Sequence, residues 1–316
     1  MIYIFTGIAL FLLTTAAVHG IFSRIERKRY PAPGSLIDIG RGRMHLYARG
    51  SNRPAVVFSG GCGSFSYGSF YKTFSDISRT RRALVYDRLG YGWSDDTSRS
   101  RSVEELSGEL HALLKKSGEQ PPFVLVGHSL GAEEVLHFAH RYPEETAGLV
   151  LLDPAYFERT PRGDTGMLLI NRLLSLLRIT GLLRLFTALR IIPVFVWMKQ
   201  LGHYPEEIVK VSRLMFCTRG KSSLDEFRRL YRRTPAYPDL GNLPVLVLTA
   251  EHAKLKAKRP ELHNRMLEHH RMLAGLSIRG SHHVLPGTDH SFPLTHPDEV
   301  TRCIEEFIST CDEDRS

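Results

Sequence analysis

A run of four apolar residues, Phe123-Val124-Leu125-Val126, passes without a break into Gly127-His128-Ser129-Leu130-Gly131, and a helical pattern begins at Ala132. That order of strand, glycine-flanked serine and helix sets a serine on a tight strand-to-helix turn, with its hydroxyl lifted out of a sheet. The flanking glycines let the backbone make the turn without side-chain clashes. A G-x-S-x-G string also arises by chance and can mark a plain turn. Here the strand before it and the helix after it supply the context that makes Ser129 a candidate nucleophile.

The rest of the chain supplies a sheet for that turn. Apolar runs at 35–39, 43–48, 55–59, 83–87, 123–127, 148–153, 245–250 and 281–285 predict eight strands. Several are continuous Val/Leu runs, the mark of strands covered on both faces of a mostly parallel sheet. Amphipathic stretches at 103–116, 132–141, 261–273 and 297–308 predict helices between them. Such alternation predicts an open α/β sheet with helices on both faces. The order breaks once. Residues 156–240 are helix-rich without a convincing strand, so they read as a helical cap, or lid, inserted after the sixth strand. The core is then 35–155 and 241–316, and Gly181 and Pro193 divide the apolar part of the cap into separate helices. A chain of 316 residues is long enough for both core and insertion.

Charge and hydropathy place the chain next to a membrane. Residues 1–22 contain no Lys, Arg, Asp or Glu. As a helix they reach about 33 Å, enough to cross a hydrocarbon layer of roughly 30 Å. Arg24, Arg27, Lys28 and Arg29 follow immediately, whereas a secretory signal carries its positive charges before the apolar run. The reading is a transmembrane anchor at 1–22, a basic and proline-containing linker at 23–34, and a body on the cytoplasmic side. A cleaved signal is the alternative. The net charge of +9 is concentrated in 156–240, which hold 15 Lys/Arg against 7 Asp/Glu among long Leu/Ile/Phe runs. Basic and apolar together suit an anionic membrane surface or a lid over a lipophilic substrate, and not a nucleic acid groove. Solvated arginines on ordinary helices remain the plainer alternative. Cys62, Cys217, Cys303 and Cys311 show neither CxxC spacing nor a paired His/Cys cluster, so neither a zinc site nor a disulfide framework is expected.

A serine hydroxyl needs a base, and Gly287-Thr288-Asp289-His290 follows the last predicted strand. His290 is the candidate, since its neighbours His282 and His283 fall within the strand itself. Two further motifs stand in order. Ser59-Gly60-Gly61-Cys62-Gly63 follows the third strand, and Asp87-Arg88-Leu89-Gly90-Tyr91-Gly92-Trp93-Ser94 follows the fourth. With these four motifs the chain, from about 35 to 310, resembles the α/β-hydrolase superfamily, near its bacterial esterase/lipase-like branch. The resemblance implies an oxyanion hole from the backbone N–H groups of Cys62 and Leu130. It also places an acid three residues beyond the end of the seventh strand, where this chain has Ala253. Two substitutes exist. Asp153, in Leu151-Leu152-Asp153-Pro154-Ala155, resembles the acid site of the superfamily's neutral lipases, and Glu251 is the alternative.

The expected activity is hydrolysis of carboxylic esters of lipophilic substrates through an acyl-enzyme, with no cofactor required. A thioesterase, amidase or C–C hydrolase would use the same triad, and a non-catalytic binding protein on this scaffold is the reading from another class. Dehalogenases and epoxide hydrolases of the superfamily carry an aspartate at the elbow, and Ser129 argues against both.

Overall fold

Period-2 alternation decides which face of the sheet each strand residue serves. In a computed structural model, which describes residues 1–156, 161–220, 222–232 and 237–313, the eight strands are β1 (Ser35–Asp38), β2 (Arg43–Arg49), β3 (Ala55–Ser59), β4 (Ala83–Asp87), β5 (Phe123–His128), β6 (Thr146–Leu152), β7 (Val245–Ala250) and β8 (Gly280–Leu285). They form one sheet in the order β1-β2-β4-β3-β5-β6-β7-β8. β2 pairs antiparallel with β1 and β4, and every pair from β4 to β8 is parallel. β3, β4, β6 and β7 are buried at every position. This is why they read as unbroken apolar runs, since neither face meets water. Val57, Leu84, Leu125, Leu149 and Val247 face one core, while Val56, Val85, Val126, Val150 and Leu248 face the other.

The helices are α1 (Ile2–Arg29), α2 (Ser66–Ser69), α3 (Tyr71–Thr80), α4 (Val103–Lys116), α5 (Leu130–Arg141), α6 (Pro161–Ile179), α7 (Leu182–Ala188), α8 (Val194–Gln200), α9 (Glu206–Thr218), α10 (Ser223–Arg232), α11 (Ala253–Lys258), α12 (Pro260–Ala274), α13 (Phe292–Thr295) and α14 (Pro297–Glu313). α4, α5 and α12 cover the first face, and α3 and α14 cover the second. α6 to α10 all lie between β6 and β7. Gly181, at φ 75°, caps the start of α7, and Pro193 caps α8. Residues 157–160, 221 and 233–236 of the expected cap lie outside the described residues.

Several elements depart from the expected boundaries, α14 by running five residues further, to Glu313. α1 runs on through the basic cluster to Arg29, where a linker was expected. Nothing before Pro31 breaks the helical pattern, and Arg184 of α7 holds Ser23 (3.1 Å) and Glu26 (2.7 Å). β6 starts at Thr146, because Thr146 and Ala147 are already buried, and it ends at Leu152. α5 starts at Leu130, directly after the serine.

The elbow itself requires its glycines. A Cβ on Gly131 would lie 2.3 Å from the Ser59 carbonyl oxygen, and one on Gly127 would lie 2.4 Å from that of Gly131. Gly131→Ala should therefore cost about 1–3 kcal/mol in urea unfolding. Gly108→Ala, in α4 with no atom within 4 Å of the added carbon, should gain about 0.5–1 kcal/mol.

Candidate active site

Three neighbouring strand ends converge on one carboxylate. At the end of β5, Ser129 sits at φ 55° and ψ −117°, a region whose strain costs about 1–3 kcal/mol. Its N–H donates to the Leu152 carbonyl of β6 (3.0 Å), and its own carbonyl accepts from Ala132 (3.1 Å). One residue past β6, Asp153 also has a positive φ, 42°, and its N–H donates to Leu248 of β7 (2.7 Å). The two strained residues are thus fixed by ladder-type hydrogen bonds to the next strand along.

The Asp153 carboxylate is nearly fully buried, at 2% exposure, so it must be satisfied by donors. Oδ1 accepts from the Ala250 N–H (3.1 Å). Oδ2 lies 2.6 Å from His290 Nδ1 and 2.8 Å from His252 Nε2. Burial alone would raise its pKa. The hydrogen bonds from His252 and His290 outweigh burial and hold the carboxyl well below the usual range, so it is ionised.

His290 follows β8 on a loop where the Thr288 hydroxyl donates to the Leu285 carbonyl (2.7 Å). With Nδ1–H given to Asp153, Nε2 is the basic nitrogen. The His290 carbonyl accepts from His128 Nε2 (2.9 Å), and the two rings lie 4.7 Å apart, which seats His290 beside the residue preceding Ser129. Burial, then the neighbouring His290, lower the His128 pKa to about 3 and keep it neutral. Among the described residues the Ser129 hydroxyl holds no hydrogen bond, and the His290 side chain is half exposed.

The other sequence candidates sit elsewhere. Glu251 Oε2 accepts from the Gly287 N–H (2.8 Å) and braces the loop that bears His290. His282 lies in β8 against the Thr249 hydroxyl (2.8 Å). At the turn after β3, Arg88 Nη1 and Nη2 donate to the carbonyls of Gly60 (2.7 Å) and Gly61 (2.8 Å). A Cβ on Gly61 would stand 3.2 Å from Ser129 Cβ, so the turn presses against Ser129. The Cys62 side chain packs with Leu130 and Leu106. Burial, then Glu226, push its thiol up to about 12, so it is neutral. Beyond Cys62 a cavity of about 170 Å³ opens, starting at Gly63 and lined by Phe65, Phe195, Met198, Met215 and Arg219.

Sequence reasoning missed four residues here. His252, in the left-handed conformation at φ 51°, shares Oδ2 with His290. Arg88, Glu134 and Glu226 form a buried network. Glu134 accepts from Ser59 (2.8 Å), Tyr86 (2.7 Å) and Arg88 (3.0 Å), and Glu226 of α10 accepts from Tyr91 (2.7 Å). Arg88 lies within the motif after β4, which was its only sequence signal. Asp153, His252 and His290 are also the group whose ligand atoms, within 4.8 Å of one another, are spaced for a metal ion. Their 2.6 and 2.8 Å contacts are hydrogen-bond lengths, shorter than the separation of two ligand atoms around one zinc.

A family model described as the alpha/beta hydrolase family matches residues 55–302, and the chain belongs to that family. An uncharacterized protein, YbdG, of Bacillus subtilis is 29% identical over 149 residues, 46% of this chain and 46% of that protein. A 2-hydroxymuconate semialdehyde hydrolase of Pseudomonas putida is 33% identical over 137 residues, 38% of this chain and 45% of its own. The chain spans about half the length of these curated relatives. Among solved structures, an esterase from Thermogutta terrifontis superimposes with a TM-score of 0.61 at 20% identity, covering 85% of this chain and 94% of its own. An epoxide hydrolase from Bacillus megaterium gives 0.66 at 17% identity, covering 87% of this chain and 100% of its own. These likenesses show the fold.

The shared carboxylate has a pH signature. Burial lowers the His252 pKa, but Asp153 more than offsets this, so the folded value is raised above the ordinary one near 6.5. Its stabilising charge interaction is then fully present below that ordinary value and is lost as pH rises through the folded one. His252→Gln should lower Tm more at pH 5.5 than at pH 9, read by thermal unfolding; an equal loss at both would mean that His252 carries no charge.

Proposed function

We propose that this chain is a serine hydrolase that cleaves carboxylic esters of lipophilic substrates from a membrane-anchored position. The observation that carries this reading is the 2.6 Å contact of His290 Nδ1 with Asp153, on strand ends adjoining the strained Ser129 elbow. In this mechanism Nε2 of His290 takes the Ser129 proton as Oγ attacks the ester carbonyl carbon. The tetrahedral oxyanion is received by the N–H groups of Cys62 and Leu130. His290 then protonates the leaving alcohol, and an acyl group stays on Ser129. A water, deprotonated by the same nitrogen, hydrolyses that acyl-enzyme. Asp153 fixes the tautomer and stabilises the imidazolium. Apolar Phe65, Phe195, Met198 and Met215 beside the oxyanion turn suit a lipophilic acyl or alcohol group.

The likeness to 2-hydroxymuconate semialdehyde hydrolases favours a second reading, in which the same residues cleave a bond other than an ester. Structural likeness to epoxide hydrolases carries no such reading, because the elbow holds Ser129. Membrane placement rests on α1, the one helix among the described residues that is long and apolar enough to cross a bilayer. The cations at 24–29 favour a cytoplasmic body.

A fluorophosphonate probe should label the wild-type chain and not Ser129→Ala. The same substitution should lower kcat on p-nitrophenyl esters by about 10³-fold or more. Folded wild-type protein that takes no label overturns the proposal, and a preference for short acyl chains would contradict its lipophilic part.

A further inference from the structure

The cap is latched to the N-terminal helix, and between them lies a cavity of about 380 Å³ that the proposed chemistry does not use. On one wall stand Thr14, Val18 and Phe22 of α1, residues on a single helical face. Leu185 of α7 and Leu214 of α9 form the opposite wall, and Arg213 of α9 also lines the cavity. The latch is close. A Cβ on Gly181 would lie 2.6 Å from the Thr15 carbonyl oxygen, so only glycine permits this approach. Arg184 then ties α7 to His19 (3.2 Å), Ser23 (3.1 Å) and Glu26 (2.7 Å).

Depth follows from the helix rise. If the bilayer boundary falls at Arg24, Thr14 lies about 15 Å inside it, near the midplane of a layer roughly 30 Å thick. Glu26 is then just outside, at the level of lipid headgroups. The α1 wall of the groove therefore spans one leaflet, from Thr14 near the midplane to Glu26, paired with Arg184, at the headgroups. The turn between α6 and α7, level with Thr15 and His19, must share that depth. Its surroundings agree: Leu173, Leu176 and Ile179 of α6 are exposed, at 53%, 61% and 65%, an arrangement costly in water and favourable in lipid. Arg213 is exposed and holds no hydrogen bond or ion pair among the described residues.

We propose that this groove is a phospholipid site, taking one acyl chain of an anionic phospholipid from the leaflet beside the cap, with its phosphate at Arg213. The proposal rests on the reading of α1 as a membrane-spanning helix, and it gives the bilayer a specific seat on the cap. It makes no claim about which ester is cleaved.

The test uses the full-length chain in phosphatidylcholine vesicles containing a minor fraction of phosphatidylglycerol with a photoactivatable diazirine on one acyl chain. A parallel sample carries the same group on phosphatidylcholine. After irradiation, peptide mass spectrometry should find adducts on α1 and also at Leu185 and Leu214, the latter buried except from the groove. Val18→Trp, which fills the groove, should remove the α7 and α9 adducts. Arg213→Gln should reduce the preference for the phosphatidylglycerol probe about fivefold, the effect of one cation near an anionic surface. Adducts confined to α1, or an unchanged yield in Val18→Trp, overturn the groove. Carbonate extraction separates the two claims. A chain released by carbonate refutes anchor and groove together, whereas one retained without α9 adducts refutes the groove alone.

Discussion

A carboxylate buried at 2% exposure is the constraint on which the candidate site depends. Left unpaired, such a charge would cost several kcal/mol. Asp153 meets this with three donors from two parts of the chain: the Ala250 N–H at the end of β7 and His252 just beyond it, and His290 after β8. These donors meet only if β6, β7 and β8 lie side by side and parallel, with their ends level. The sheet order provides that, and the elbow on β5 is the next neighbour. The fold and the geometry around Asp153 are one requirement seen at two scales.

The second constraint is the buried network around Arg88. Its guanidinium holds two carbonyls of the turn after β3, meets Glu134 one turn past the elbow, and lies 3.4 Å from Glu226 of the cap. Desolvating these charges is expensive, and an apolar replacement of equal shape would give comparable stability. What the network adds is position. It joins the turn bearing Cys62, the helix opened by Leu130 and α10 of the helical segment between β6 and β7.

Much of this was legible in the sequence, for physical reasons. Strands buried on both faces must be continuous apolar runs, so the sheet could be read directly. Ser129 and His290 stand in local motifs, and Asp153 was recognisable from its Leu-Asp-Pro-Ala setting. α3 was missed because Phe74 and Ile77, though three apart on one face, are too few apolar residues to stand out as a periodic run. His252 was missed for a different reason. Its role depends on a left-handed backbone turn that aims the ring back at Asp153, and no spacing in the sequence encodes that. α1 outlasted its expected end because the contact stabilising its last turns comes from Arg184, about 160 residues away in the chain.

The account rests on Asp153, and not Glu251, as the group that orients His290. Turnover of a p-nitrophenyl ester by Asp153→Asn and Glu251→Gln, compared in chains of matched thermal stability, tests this directly. The account predicts a fall in kcat of about 10⁴-fold for Asp153→Asn, the loss expected when the imidazole is held in the wrong tautomer. Glu251→Gln should stay close to wild type, because the Glu251 carboxylate meets the Gly287 amide and Lys256 and not His290. Near wild-type turnover in Asp153→Asn, with a collapse in Glu251→Gln, would contradict it.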